Sequence, residues 1–220
     1  MDVVIAGGHG KIALRLARLL AARGDRPVGV VRNPDHVPDV AEVGADPVVL
    51  DLESAEVSDL ATHLEGADAV VFAAGAGPGS GAARKDTVDR AAAVLLADAA
   101  ERAGVRRYLL VSSMGAGADP SPGTGEVFAA YLRAKTAAEA DLARRDLGWT
   151  ILRPGSLTDD PGTGLVRLGR QVARGEVPRD DVAAVLRALL DEPATARLTL
   201  ELVGGDTPVV DAVAHAVADG

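Results

Sequence analysis

The sequence contains no cysteine and only five aromatic residues, one Trp, two Tyr and two Phe, among 220. Without cysteine there are no disulfide bonds, thiolate metal sites or cysteine nucleophiles, which is typical of a cytoplasmic protein. No apolar run approaches the ~18 residues of a membrane span, and a strand-like segment follows Met1 without a basic leader. We therefore expect a cytoplasmic protein that does not bind a membrane.

Basic residues are also in the minority. The chain has 23 Lys and Arg against 32 Asp and Glu, which gives a formal net charge of −9. This charge repels a phosphate backbone, and five aromatic side chains offer few platforms for base stacking. We therefore expect no nucleic-acid partner. The four histidines lie in different segments without metal-ligand spacing, so no metal site is expected.

Short β-branched segments alternate with helical segments rich in Ala, Leu and Arg. This order predicts an α/β fold, a Rossmann-type doubly wound parallel sheet of about seven strands with helices on both faces. We expect one domain over 1–220, in which 154–220 adds a small substrate-side lobe. The predicted strands are Val3–Ala6, Val28–Val31, Val48–Leu50, Ala69–Phe72, Tyr108–Val111, Thr150–Leu152 and Leu198–Val203.

Two loops rich in Gly and Pro, 75–81 and 115–125, follow the fourth and fifth predicted strands. Ligands bind at the carboxyl edge of an open α/β sheet, so mobile loops there indicate a site that opens and closes. Surface loops without such a role are the alternative.

The first predicted strand leads into a glycine-rich turn, and a helix follows at once. Glycine lets backbone amides approach a pyrophosphate, which then lies at the positive end of the helix dipole. Such turns are common, but between a first strand and a helix they fit the dinucleotide fingerprint. A purely structural turn is the alternative. The residues expected to bind the cofactor here are Gly7, Gly8, His9, Gly10, Lys11 and Ile12.

Arg32 ends the second predicted strand, where an acidic residue selects NAD and a basic residue accommodates the 2′-phosphate of NADP. Its planar guanidinium suits a phosphate, and His36 offers a second donor. The sequence thus predicts NADP(H) in preference to NAD(H), with a solvated arginine as the alternative. Asp51 and Leu52, at the end of the third strand, are expected to border the adenine.

Tyr131 and Lys135 are four residues apart on a predicted helix, so they share a face. An ammonium group beside a phenol favours the ionised phenol and lowers its pKa from about 10. Ser113 ends the fifth strand and is placed to bind the carbonyl oxygen that Tyr131 protonates, with Ser112 as the other candidate. Alternatively, Tyr131 packs beside Leu132, Lys135 pairs with Glu139, and Ser113 only ends a strand.

The motifs taken together resemble the short-chain dehydrogenase/reductase superfamily, in its compact atypical NAD(P)H-binding branch that is often labelled NAD-dependent epimerase/dehydratase. The matching segments are 7–13, 32, 51, 73–75, 111–113, 131–135, 153–155 and 202–208. The resemblance implies that Lys135 binds the nicotinamide ribose and that Tyr131 is the acid/base. It implies further cofactor contacts by Ala73, Ala74 and Gly75 at the ribose and by Pro154, Gly155, Ser156 and Leu157 beside the nicotinamide.

The chain departs from the family pattern in three places. Asp89, the remaining catalytic candidate, stands where the wider family has an asparagine in a proton relay, and its carboxylate can hold the same water but does not donate as an amide does. Ala13 replaces the third glycine of the turn. Only 67 residues follow Arg153, fewer than sugar-nucleotide epimerases of the family use, so a nucleotide-sugar substrate is disfavoured.

The expected function is NADPH-dependent reduction of a small carbonyl or quinone-like molecule by hydride transfer, with Tyr131 as proton donor. Phe128 offers the pocket an aromatic wall, whereas Phe72, Tyr108 and Trp149 are expected in the core. Two alternatives stay open: a non-catalytic NADP(H)-sensing protein, and an enzyme similar to flavin or biliverdin reductases that does not use the Tyr–Lys pair. The expected partner is a small-molecule substrate, and both monomer and homodimer remain possible.

Overall fold

The computed structural model describes residues 1–77, 79–121 and 123–218. Pro78 and Pro122, which belong to the predicted loops 75–81 and 115–125, lie outside the described residues, as do the last two residues. The strands are β1 (Asp2–Ala6), β2 (Arg26–Val31), β3 (Asp46–Val49), β4 (Ala69–Phe72), β5 (Arg107–Val111), β6 (Gly148–Pro154), β7 (Ser156–Thr158), β8 (Leu165–Gly169), β9 (Glu176–Pro178), β10 (Leu198–Gly204) and β11 (Thr207–Pro208).

The helices connect the strands as crossovers. Helix α1 ends at Gly24 in a left-handed conformation (φ 87°), which only glycine adopts without strain. A π-helix, Lys85–Ala91, precedes α5, and 3₁₀ turns occupy Pro34–His36 and Pro193–Thr195. The α-helices are α1 (Lys11–Arg23), α2 (Val37–Glu42), α3 (Val57–Leu64), α4 (Ala82–Arg84), α5 (Ala92–Ala103), α6 (Glu126–Leu142), α7 (Arg179–Asp191) and α8 (Val209–Ala218).

Within the described residues, nine strands form one sheet in the order β11-β8-β10-β6-β5-β4-β1-β2-β3. The seven strands from β10 to β3 are parallel, which confirms the predicted fold class and all seven predicted strands. The strands β8 and β11 add an antiparallel edge beyond β10, and β7 pairs with β9 separately. Successive strands are added towards one side of the sheet from β1 to β3 and towards the other side from β4 onwards. The carboxyl edge between β1 and β4, where this order reverses, is where such sheets bind ligands.

The core has a layer on each face of the sheet. Alternate residues of β1 serve both layers: Val3 and Ile5 pack with α1, α7 and α8, whereas Val4 and Ala6 pack with α3 and α5. Phe72, Tyr108 and Trp149 lie in the second layer, as expected. No helix in the described part of the chain is both long and apolar enough to cross a bilayer.

Candidate functional site

An open cavity of about 280 Å³ lies at the carboxyl edge of the sheet, beyond the ends of β1 to β4. The predicted cofactor residues that line it are Gly7, His9, Gly10, Arg32, Asp51, Leu52, Ala73, Ala74 and Gly75. Among the described lining residues we do not find Gly8, Lys11, Ile12, Lys135 or the segment 154–157. The cavity therefore gathers the residues predicted for the adenosine half of a dinucleotide, and not those predicted for the nicotinamide half.

The glycine-rich turn is packed so closely that side chains do not fit. A Cβ on Gly8 would lie 2.7 Å from the Gly29 Cα, and one on Gly7 would lie 2.5 Å from the Ala74 Cα. Gly10 is the N-cap of α1 and has no side chain to cap the helix, so the first-turn amides stay available to an anion. This turn fits the pyrophosphate of a dinucleotide.

Other residues of the turn have different contacts. The Lys11 ammonium lies 2.5 Å from an Asp159 carboxylate oxygen. Ile12 is buried in the core against the sheet. The Nε2 atom of His9 lies 2.7 Å from an oxygen of Asp39, and its ring stacks on His36 with 3.6 Å between centroids. The Lys11 and Ile12 side chains thus hold the turn in place, whereas their amides belong to the first turn of α1.

Two arginines converge on one carboxylate in the cavity. Arg32 Nη1 and Arg84 Nη2 donate to the same oxygen of Glu53, at 2.8 and 2.6 Å, and Thr87 Oγ1 donates to the other oxygen at 2.6 Å. The hydrogen bonds from Arg84 and Thr87 lower the pKa of Glu53, so it is ionised at neutral pH. Sequence reasoning missed Arg84 and Glu53, although both follow strands that end at this edge.

Tyr131 lies on α6 with most of its side chain buried. Burial raises the pKa of Tyr131 to about 12, the nearby Ser113 hydroxyl opposes this shift, and Asp89 and Glu139 act in the same direction as burial. The expectation that Lys135 lowers this pKa is therefore wrong. The phenol keeps its proton at neutral pH and is a hydrogen-bond donor next to Ser113.

Lys135 is neutralised by a buried partner, which explains that correction. Its Nζ lies 3.3 Å from Asp89 Oδ1 and donates to the Val111 carbonyl at 3.1 Å. Burial lowers the pKa of Lys135, and Asp89 works against that shift. Asp89 Oδ2 also accepts the Ala76 amide at 3.2 Å. Asp89 therefore joins α6 to the loop after β4, and Lys135 does not pair with Glu139.

Ser112 belongs to a hydrogen-bond network of its own. Its hydroxyl donates to Glu139 Oε1 at 2.5 Å, and Glu139 also accepts from Arg153 Nε at 3.0 Å and Nη2 at 2.5 Å. Ser112 and Glu139 are both buried. Ser113, with its hydroxyl near Tyr131, is left as the candidate.

The segment 154–157 lies beside the strand end that carries Ser113. The Pro154 carbonyl accepts the Met114 amide at 2.9 Å, and a Cβ on Gly155 would lie 2.2 Å from the Gly175 carbonyl oxygen. Ser156 and Leu157 belong to β7, which pairs with β9. The segment is thus fixed at the same sheet edge as Ser113.

The π-helix connects the cavity to the tyrosine. Thr87 faces Glu53, whereas Asp89 faces Lys135 and Lys85 lies with its Nζ 5.4 Å from the Tyr131 ring centroid. Such π-turns occur frequently at functional sites. The sequence carries no signal for Lys85, because only the fold brings the π-helix against α6. In the described part of the chain, no three His, Asp or Glu side chains are grouped to hold a metal ion.

The parallel sheet and the glycine turn above an uncapped helix define a dinucleotide-binding α/β protein. The family model described as NAD(P)H-binding matches residues 7–193. The chain therefore belongs to the NAD(P)H-binding family, which confirms the resemblance found in its motifs.

Several full-length relatives support this membership. The chain is 34% identical to the uncharacterised sugar epimerase YhfK of Bacillus subtilis, across 97% of this chain and 99% of YhfK. A Bacillus halodurans structure, whose name proposes an NAD-dependent epimerase/dehydratase, is 36% identical with a TM-score of 0.89, covering 98% and 99% of the two chains. The anaerobilin reductase ChuY of Escherichia coli O157:H7 is 29% identical with a TM-score of 0.80, covering 94% and 98%.

Proposed function

We propose that the protein is an NADPH-dependent reductase of a small carbonyl or quinone-like compound. The observation that carries the proposal is the position of Tyr131 on α6 beside Ser113, which follows β5 at the sheet edge that also forms the dinucleotide cavity. A buried phenol and a serine hydroxyl are two neutral donors that suit one developing oxyanion. This pairing supports reduction of a C=O bond.

The residues have separate roles in this reaction. A bound reduced nicotinamide supplies a hydride for the carbonyl carbon. Tyr131 donates its hydroxyl proton to the carbonyl oxygen, Ser113 donates a hydrogen bond to the same oxygen, and the product is the alcohol. Tyr131 then regains a proton from water. Because its pKa is raised, the phenol remains a proton donor throughout the neutral range.

The preference for NADPH over NADH is supported by Arg32 and Arg84. Their guanidinium groups already share one anionic oxygen of Glu53, and a 2′-phosphate offers several such oxygens. We expect Arg32→Ala to weaken NADPH binding about tenfold or more and to leave NADH binding unchanged. Arg18→Ala, an exposed substitution on α1, is the control. Equal affinities of the wild type for both cofactors would contradict the preference.

A small substrate is favoured because most of the chain after Arg153 belongs to the sheet and to the helices that cover it. Of the 67 residues there, β8, β10 and β11 complete the sheet and α7 and α8 cover it. Little remains to build a lobe for a nucleotide sugar. We therefore favour reduction over the sugar epimerisation in the name of the relative YhfK.

A second candidate is a reductase whose pocket only aligns hydride donor and acceptor. The specific observation in its favour is that Asp89 neutralises Lys135, so the lysine does not activate Tyr131. The similarity to ChuY, named an anaerobilin reductase, agrees with a reductase of this build. The two candidates differ in whether Tyr131 is required.

Substitution of Tyr131 separates the candidates. With NADPH and a panel of aldehydes and quinones, Tyr131→Phe should lower kcat by about 10²–10⁴-fold and leave NADPH affinity unchanged. Tyr108→Phe is the matched control, because it removes the other tyrosine hydroxyl, which donates to the Ala93 carbonyl in the core. Unchanged kcat in Tyr131→Phe would favour the second candidate. A wild type that binds NADPH but reduces no acceptor would favour a non-catalytic sensor.

A further inference from the structure

Lys85 is a buried lysine that forms no ion pair within the described residues. Its residue surface is 8% exposed, and its Nζ donates to the Gly77 carbonyl at 2.9 Å. No carboxylate of the described residues forms an ion pair with it. A buried ammonium without a counterion is costly, so its retention at this position calls for an anion from outside the chain.

The acidic groups that influence Tyr131 are already paired. Asp89 faces Lys135 at 3.3 Å, and Glu139 faces Arg153 at 2.5 Å. Neither is free to balance Lys85, whose Nζ lies 5.4 Å from the Tyr131 ring centroid. A positive charge therefore remains beside the proposed proton donor, in a chain whose formal net charge is −9.

A second cation, Arg174, lies close to the loop that follows β5. The Arg174 guanidinium lies 3.5 Å from where a Cβ on Gly115 would stand, two residues after Ser113. Arg174 is exposed and pairs with no carboxylate of the described residues. The loop after β5 thus has a positive charge of its own close to Ser113.

An apolar ring adjoins these charges. Phe128 is 51% exposed and stacks on Tyr131 with 5.8 Å between ring centroids and 24° between ring planes. An exposed aromatic ring held against the proposed proton donor is a platform for a planar molecule. A conjugated body against Phe128 would bring its polar substituents towards Tyr131 and the nearby cations.

We propose that the substrate is a planar, conjugated carbonyl compound that carries a carboxylate, and that Lys85 binds this carboxylate. The inference rests on the proposed function, since it assigns the substrate class of the same site. Lys85 is then the residue that determines specificity for the anionic group, and Arg174 supplies a second positive charge at the rim. If Lys85 only anchors the loop at Gly77, the site has no preference for an anion.

Binding of two product-like probes tests the inference without turnover. Para-carboxybenzyl alcohol and para-carbamoylbenzyl alcohol have the same shape and differ in charge. We expect the wild type saturated with NADP⁺ to bind the carboxylate at least about tenfold more tightly in titration calorimetry. Equal affinities for the two probes would overturn the proposal, and this comparison needs no variant.

Variants assign the effect to Lys85. Lys85→Gln should remove the preference by weakening only the carboxylate probe, and Lys85→Arg should keep most of it. Arg133→Gln, which makes the same charge change on an exposed position of α6, should leave the preference intact. A preference that survives in Lys85→Gln, with NADPH binding retained, would overturn the assignment.

Turnover separates this inference from the proposed reductase activity. We expect the wild type to reduce para-carboxybenzaldehyde with a lower KM than benzaldehyde, and Lys85→Gln to raise only the former KM. Reduction of both aldehydes with equal KM would contradict the inference and leave the reductase proposal standing. Selective carboxylate binding without reduction of any carbonyl acceptor would contradict the reductase proposal and support the anion site.

Discussion

At the scale of single residues, the cavity is controlled by Glu53. Its carboxylate engages Arg32, Arg84 and Thr87 through hydrogen bonds of 2.6 to 2.8 Å. An anion that enters the cavity must compete with Glu53 for the same guanidinium groups. The carboxylate therefore keeps the arginines positioned and at the same time limits the affinity for a phosphate.

Removing this competitor should strengthen NADPH binding. Glu53→Gln frees both arginines of an ionised partner, so the Kd for NADPH should fall severalfold, whereas the Kd for NADH should not change. Glu56→Gln, at the start of α3, is the matched control for the charge change. Fluorescence titration of both cofactors measures the effect. A weaker NADPH complex in Glu53→Gln would show that Glu53 instead supports the site.

A second prediction concerns the contribution of the buried pair of Asp89 and Lys135 to the free energy of unfolding. Asp89→Asn leaves a buried ammonium without its counterion and should lower the free energy of unfolding by about 3–5 kcal/mol. Asp86→Asn, in the same π-helix, breaks an exposed pair with Arg90 and should cost only about 0.3–0.5 kcal/mol. Urea unfolding compares the two. Similar losses would contradict the structural role of the buried pair.

Spacing along one helix predicted that Tyr131 and Lys135 share a face, and that prediction needed only the geometry of a helix. It did not predict the pKa of Tyr131, because the partner of Lys135 comes from the π-helix, 46 residues earlier in the chain. Similarly, Arg32 was found from its position at a strand end, but Glu53 and Arg84 meet it only through the fold. Contacts between separate elements decided the charges of this site.

At the scale of elements, the turn between β1 and α1 has no room for added side-chain atoms. Gly8→Ala would place a Cβ 2.7 Å from the Gly29 Cα, a backbone atom that cannot move independently. The turn should shift, with a lower Tm and NADPH binding weakened about tenfold or more. Gly125→Ala is the control, since no described atom lies within 4 Å of its Cβ position. Equal tolerance of both substitutions would contradict the close packing of the turn.

The predicted elements differ in how strongly the sequence marks them. Buried parallel strands such as β4 are continuous apolar segments, and the partly exposed β3 still has a β-branched pair in Val48 and Val49, so all seven could be predicted. The antiparallel strands β8 and β11 are partly exposed, and β11 has only two residues, which leaves no such pattern. The π-helix could not be predicted from the sequence either, because its seven residues run directly into the regular helix α5.

At the scale of the whole molecule, ion pairs between carboxylates and basic groups make the free energy of unfolding depend on pH in the acidic range. Basic partners lower the pKa of these groups below the ordinary 3.8 of Asp and 4.5 of Glu. Their stabilisation is therefore present above the unfolded pKa and is lost as the pH falls through the folded pKa. The carboxylates are Asp25, Glu53, Asp86, Asp146 and Asp159.

We expect Tm to be nearly constant from about pH 8 to pH 5 and to fall steeply below about pH 4. Thermal unfolding followed by circular dichroism across this range measures it. A Tm that rises on acidification from pH 5 to about pH 3 would show that charge repulsion in the folded chain outweighs these pairs.

The central claim is that one sheet edge holds NADPH between a pair of arginines and a protonated tyrosine. A crystal structure of the NADPH complex tests it most directly. We expect the 2′-phosphate at Arg32 and Arg84 in place of the Glu53 carboxylate, and the nicotinamide next to Tyr131 and Ser113. A complex in which Glu53 keeps both arginines, or in which the nicotinamide lies away from Tyr131, would contradict it.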